Sequence, residues 1–391
     1  MHLGDAVTLL LFSLGAFLIP LGTGRIGLPA AVGEILYGIA LGPHLAGLIN
    51  KNTFTTFLAE LGFSFLMFLA GLELDFPRME RAGSRNLWLG GATAAGFFAL
   101  AYLMTLLLGH PLFMFLVFGA TSVGILLVTL NELGLTKTRA GQGTIFVGSV
   151  GEFLTIVLLT AIGFYYRYGL GTQLLWEMGK LGAIFLAAYL VLVLLRTLIW
   201  WWPQSFARVV AAHDPSEVGV RAGLALMLVF VALATLLGVE GILGAFVAGA
   251  LFSFVFREKG ILETKLSSIG FGFFVPFFFI WVGTEFDLSS VLNRRALLAV
   301  GELLGASLVT KLAPCLLLLL ARLTLREVVG AGLLLGAPLT LLVAISRIGL
   351  DVKVIDQATA ASVVLLAIVS GVILPWTFRL LVHRQPSHSA P

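Results

Sequence analysis

Apolar stretches of about twenty residues recur along the whole chain, separated by short breaks of Gly, Pro and charged residues. A helix needs about 20 apolar residues to cross a hydrocarbon layer about 30 Å thick, so each stretch reads as a membrane span. Cutting at the breaks predicts thirteen spans. They cover residues 6–23, 29–49, 56–74, 87–108, 112–133, 143–166, 178–202, 219–238, 240–256, 268–287, 296–320, 327–349 and 358–382. In lipid every backbone polar group must find a partner inside the protein, and stretches of this length do so as helices. The expected fold class is therefore an all-α polytopic membrane protein.

Composition closes off the alternatives. Hydrophobic residues make up 59% and charged residues 11%, against roughly half and about 25% in soluble domains, so too few charges remain to cover a water-facing surface. A soluble enzyme, a DNA-binding protein and a secreted disulfide framework are excluded, and the single cysteine, Cys315, has no partner within the chain. The net charge of +4 reports orientation and not a nucleic-acid partner. Basic residues such as Arg25, Arg78, Arg81, Arg85, Lys137, Arg139, Arg208, Arg257 and Lys259 follow odd-numbered spans, whereas few follow even-numbered ones. The positive-inside rule then places the N-terminus outside and the C-terminus in the cytoplasm. The start, MHLGDAVTLLL, lacks the positive region of a cleaved signal peptide and is expected to remain as the first helix.

The second half of the chain matches the first at an offset of about 210 residues. GEILYGIALG from Gly33 answers GAFVAGALFS from Gly244, and LAELGFSFLMFLAGLELDF from Leu58 answers LSSIGFGFFVPFFFIWVGTEFDL from Leu266. GATSVGILLVTLNELGL from Gly119 answers GAPLTLLVAISRIGL from Gly336. Each partner lies an odd number of spans away, so the two copies cross the membrane in opposite directions. Inverted repeats of this kind are the mark of alternating-access transporters. The expected organisation is one transmembrane domain over 1–391. It comprises a first six-helix repeat over 1–170, a linker helix and loop over 171–217, a second repeat over 218–384 and a short cytoplasmic tail over 385–391.

The third pair of matches marks a site. GATSVG and GAPLT interrupt apolar spans with Gly, Pro and hydroxyl residues, and backbone freed at that depth must be bonded or line a wet cavity. Two such broken helices, crossed at the midplane, aim their ends at a small ion. Thr121 and Ser122 are candidate oxygen ligands, with Pro338 and Thr340 opposite in the second break. The alternative for each hydroxyl is a bond back to its own helix turn.

Charge within a span costs about 2.5 to 3.5 kcal/mol even on the lenient insertion scale, so each case needs a reason. Glu152 lies well inside the sixth span and Lys311 deep in the eleventh. A carboxyl group out of water can hold either a proton or a monovalent cation, and that competition is the chemistry of exchange. Lys311 is the expected charge partner of the empty Glu152 carboxylate. Glu34, Glu73, Glu285 and Glu302 sit near span ends or inside repeat motifs, where structural roles suffice.

AVGEILYGIALGP, LAELGFSFLMFLAGLELDF, GATSVGILLVTLNELGLTKTRAGQ and GILGAFVAGALF resemble the transmembrane domain of monovalent cation:proton antiporters, in particular the bacterial sodium/proton and potassium-efflux branch. The resemblance covers nearly the whole chain. It implies a homodimer in the cell inner membrane, a six-helix core that carries the ion, and two crossed broken helices beside the binding carboxylate. Carried over by position, the threonine and serine of the first break are Thr121 and Ser122, and the core lysine is Lys311. The pair of carboxylates usual in this branch falls on Gly151 and Glu152, so the first acid is absent here. The usual Arg-Gly-Glu of the second break falls on Pro338, Leu339 and Thr340.

The expected activity is a secondary antiport of Na⁺ or K⁺ against H⁺ by alternating access, electroneutral with its single carboxylate and without a cofactor. Glu152 is the expected ligand of the transported metal ion. A separate cytoplasmic regulatory subunit is a possible partner, and no nucleic acid is expected. Sodium-coupled symport of an organic solute, a gated cation channel and a non-transporting sensor stay open as alternatives.

Overall fold

The computed structural model of the chain describes residues 3–26, 28–49, 53–74, 76, 84–202, 216–256, 260–286 and 294–383. The expected tail at 385–391 and part of the expected linker loop lie outside the described residues. Among the described residues the architecture is all-helical, with thirteen helical elements in chain order, as the apolar pattern predicts. Helices α1 (Leu3–Ile26), α2 (Ala30–Leu41), α3 (Thr53–Leu72) and α4 (Ser84–Leu108) come first. A broken element follows, α5a (Met114–Gly119) and α5b (Gly124–Glu132), and then α6 (Arg139–Tyr168) and α7 (Thr172–Trp201). The second half contains α8 (Val218–Leu236), α9 (Gly241–Val255), α10 over 260–285, α11 (Arg294–Cys315), the broken α12a (Leu325–Leu335) and α12b (Leu339–Asp351), and α13 (Gln357–His383). Among the described residues ten helical stretches are long and apolar enough to span a membrane, and α2, α9 and the broken α5 are shorter.

Local chemistry explains where elements depart from the expected spans. The second span, expected to reach residue 49, stops at Leu41 because Gly42 adopts an extended conformation ahead of Pro43, a residue that excludes helix immediately before it. Its last carbonyl is then capped by the amides of Leu48 and Ile49 at 3.1 and 3.0 Å. Within α10 the run Gly270–Phe274 winds as a π turn. Pro276 lies just beyond it, and its missing N–H and its ring both disrupt the regular ladder to Gly272.

The chain forms two compact units. Unit 1 comprises Met1–Glu80 and Arg167–Phe286, with α1 to α3 and α7 to α10. Unit 2 comprises Arg81–Tyr166 and Asp287–Pro391, with α4 to α6 and α11 to α13. Each unit therefore draws helices from both of the stretches that match one another in sequence.

Unit 1 is built on two glycine crossings. A β-carbon at Gly38 of α2 would lie 2.0 Å from the Ile280 carbonyl oxygen of α10, and one at Gly283 would lie 2.1 Å from that of Ile35. Between α3 and α9 the same arrangement recurs: Gly71 would meet the Phe246 oxygen at 2.1 Å and Gly249 that of Phe68 at 2.0 Å. Only hydrogen fits at these four positions, and the helices pack backbone to backbone. Stacked Phe63 and Phe278 rings, 4.5 Å apart, add to this core. Glu34 of α2 is buried within this unit.

Unit 2 has its own core, a cluster including Phe97, Val123, Leu126, Val147, Cys315, Leu334, Leu335 and Phe378. A capping box opens α12a: Thr324 accepts from the Glu327 amide, and the Glu327 carboxylate accepts from the Thr324 amide at 2.7 Å. At another edge, His110 and Glu302 pair at 3.0 Å.

Candidate ion-binding site

The site lies in unit 2 and begins with the interruption of α5. After Gly119 the chain leaves the helix at Ala120 (φ −54°, ψ 135°) and resumes it at Gly124. An interrupted helix exposes carbonyls at the end of its first half and amides at the start of its second, and each needs a partner. Here the amides find an acid. The Val123 amide donates to Glu152 Oε2 at 3.1 Å, and the Ser122 hydroxyl donates to Glu152 Oε1 at 3.1 Å. Glu152, brought by α6, is 2% exposed. Its charge faces the positive end of α5b, an arrangement that offsets part of the cost of burying it.

The second break joins at the same point. Pro338 (φ −83°, ψ 58°) separates α12a from α12b, and Thr340 in the first turn of α12b lies 3.0 Å from the Ser122 hydroxyl. Pro338 serves by ending one helix and starting the next, and Leu339 donates its amide to the Ala337 carbonyl across the break. Thr121, also fully buried, reaches the Gly148 carbonyl at 3.5 Å. Glu152, Ser122, Thr121 and Thr340 thus gather carboxylate and hydroxyl oxygens around the two breaks, and oxygen-only donors suit a hard cation.

Two features were absent from the residue-level expectation. Lys311 is fully buried in α11, yet its ammonium donates to the Phe118 carbonyl at 2.7 Å and lies 5.1 Å from the centre of the Phe97 ring. The structure does not bring it into an ion pair with Glu152. Thr310, its neighbour, shares that same carbonyl at 2.7 Å. A hydroxyl next to a buried lysine is the sequence signal that would have drawn attention to Thr310. The other surprise concerns Gly151. A β-carbon there would lie 2.3 Å from Thr121 Oγ1, so the Thr121 side chain fills the space that any residue larger than Gly would occupy.

Comparison with known proteins decides the lineage. Residues 10–384 match the family described as sodium/hydrogen exchanger, transmembrane. The chain belongs to that family. That family is one of transporters, and the expected kinship with monovalent cation:proton antiporters is borne out. A putative Na⁺/H⁺ antiporter, YjbQ of Bacillus subtilis, is 30% identical over 391 residues, covering 95% of this chain and 62% of that protein. The chain therefore spans less than two thirds of that relative's length. The Na⁺/H⁺-K⁺ antiporter GerN of Bacillus cereus is 29% identical over 360 residues, with 90% of this chain and 89% of that protein covered. Among solved structures, the sodium proton antiporter MjNhaP1 of Methanocaldococcus jannaschii superposes with a TM-score of 0.63 at 14% identity, over 97% of this chain and 98% of that one. That likeness shows the exchanger family's polytopic helical fold.

Proposed function

We propose that the chain exchanges a monovalent cation, Na⁺ or K⁺, for H⁺ by alternating access, with Glu152 as the group that both occupy in turn. The observation that carries this reading is the buried Glu152 carboxylate held by Ser122 and Val123 where two helices break. Ionised, Glu152 accepts from both donors, and its negative charge attracts a cation that Thr340 and Thr121 help to coordinate. Protonated on Oε1, it becomes a donor. Ser122 must then turn its own proton toward Thr340, so the direction of the whole hydroxyl chain reverses. Proton and metal ion thereby impose different arrangements on the junction of the two breaks, which is the differential interaction that a coupled exchanger requires.

A single carboxylate supports electroneutral, one-for-one exchange. That count is supported by Gly151, which carries no carboxylate and whose β-carbon space is taken by the Thr121 hydroxyl. The GerN name includes both Na⁺ and K⁺, which supports keeping both ions as substrates. The paired crossings Gly38–Gly283 and Gly71–Gly249 support an inverted repeat, because residues matched in the two halves make the same contact twice. On this reading the protein sits as a homodimer in the cell inner membrane, N-terminus outside and C-terminus in the cytoplasm. A separate cytoplasmic regulatory subunit fits the same scheme.

The test is proton release from proteoliposomes holding a pH gradient when Na⁺ or K⁺ is added. The intact protein is expected to exchange, and Glu152→Gln to abolish exchange while leaving the protein folded. Full activity of that variant would remove Glu152 from the mechanism.

A further inference from the structure

The end of α5a carries a polar contact that the ion site itself does not use. This half-helix stops at Gly119, so its last carbonyls have lost their regular partners. The Leu116 carbonyl is still served by the Ala120 amide at 2.8 Å. The Phe118 carbonyl instead receives two side chains from α11: the Lys311 ammonium at 2.7 Å and the Thr310 hydroxyl at 2.7 Å. All of this is buried, and the ammonium faces the negative end of the half-helix dipole. The Thr310 hydroxyl has one proton and a second acceptor, the Ser307 carbonyl at 2.8 Å, so it bridges α11's own backbone to that of α5a.

We propose that Thr310 is a positioning residue for the ion site, and that Lys311 works with it by gripping the Phe118 carbonyl and not by pairing with Glu152. This rests on the antiport reading above. Phe118 precedes Ser122 by four residues, and Ser122 and Val123 are the two donors that hold Glu152. Whatever fixes the end of α5a therefore fixes the carboxylate's donors. The two grips differ in kind. Lysine is a point charge on a flexible four-carbon stem and holds the carbonyl without setting its register. The Thr310 hydroxyl stands one carbon from its own backbone and is bonded to two carbonyls, so its short reach sets where along α11 the Phe118 carbonyl sits. Loss of the hydroxyl should leave α5a attached but displaced, weakening cation binding more than turnover.

The experiment compares intact protein, Thr310→Val and Thr310→Ser in proteoliposomes, reading proton release against Na⁺ and K⁺ concentration. Thr310→Val is expected to raise the cation KM about fivefold, the factor for one lost buried hydrogen bond, with the maximal rate within about twofold. Thr310→Ser, which keeps the hydroxyl, is expected to restore the original KM. An unchanged KM in Thr310→Val, or a Thr310→Ser variant as impaired as Thr310→Val, overturns the proposal. If Thr310→Val does not reach the membrane, Thr310→Cys, similar in size but a weak donor, is expected to show the same rise, and an unchanged KM there overturns it equally. Absence of exchange by the intact protein would sink the antiport reading instead, so the two failures are distinct.

Discussion

In unit 1 the closest helix crossings contain no side chain at all: Gly38 against Gly283 and Gly71 against Gly249 bring carbonyl oxygens to within van der Waals contact of a bare Cα. In unit 2 the corresponding places are filled by hydroxyls, a carboxylate and an ammonium, bonded to backbone that the broken helices have set free. Glycine crossings have essentially one geometry, since any slip drives oxygen into carbon. Hydrogen-bonded breaks can exchange partners, as the proposed exchange requires of the Thr340, Ser122 and Glu152 chain when Glu152 takes up a proton. Rigidity and adaptability are thus assigned to different units by the simplest means available, absence of side chains in one and surplus of polar ones in the other.

The comparison can be broken most forcefully in unit 1. Gly71→Ala places a methyl group 2.1 Å from the Phe246 oxygen, and the helices must part to accept it. Such overpacking costs about 3 kcal/mol or more, so a large fall in Tm in detergent is expected. Gly91→Ala in α4, with nothing within 4 Å, serves as the control and should keep the original Tm. A Gly71→Ala protein of undiminished Tm would show that the crossing is looser than described.

A smaller effect is expected at the other kind of contact. Gly151→Ala forces Thr121 aside while leaving Glu152 and its two donors in place. Cation KM in proteoliposomes should rise, with exchange retained and Tm close to that of the intact protein. Loss of folding instead would mean that unit 2 tolerates intrusion no better than unit 1.

The smallest effect lies outside the spans. Asp356 caps α13, accepting the Thr359 amide at 2.8 Å. Hydrogen bonds from Thr359, its hydroxyl first and then its amide, hold the Asp356 carboxyl below its ordinary range. A depressed value means that the cap's contribution is present above the ordinary aspartate range and is lost as pH falls through the lower, folded value. Asp356→Ala should therefore cost about 1 kcal/mol near neutrality, and the gap in Tm between variant and parent should close on acidification.

Much of this was legible in the residues, for reasons that differ by element. The spans were legible because lipid leaves a chain few ways to satisfy its backbone, and α3, α6 and α13 follow their apolar runs closely. Both breaks were legible because Gly, Pro and hydroxyl residues have few other reasons to interrupt a span. The end of α2 was misjudged, since the apolar residues after Pro43 outweighed the proline itself in the pattern. The grouping of helices into two units was not legible, because it depends on contacts between residues some two hundred positions apart. Nor was the partner of Lys311, because a main-chain carbonyl has no letter in the sequence. A charge suggests another charge to the reader, and here it found a peptide group.

Cys315 sits one turn beyond Lys311, sealed in the unit 2 cluster. Because it is the sole thiol of these 391 residues and inaccessible, the chain already offers a silent background for spectroscopy. Reporter groups attached to cysteines introduced elsewhere would give signals from those places alone, so motions of either unit can be followed without first removing a native residue.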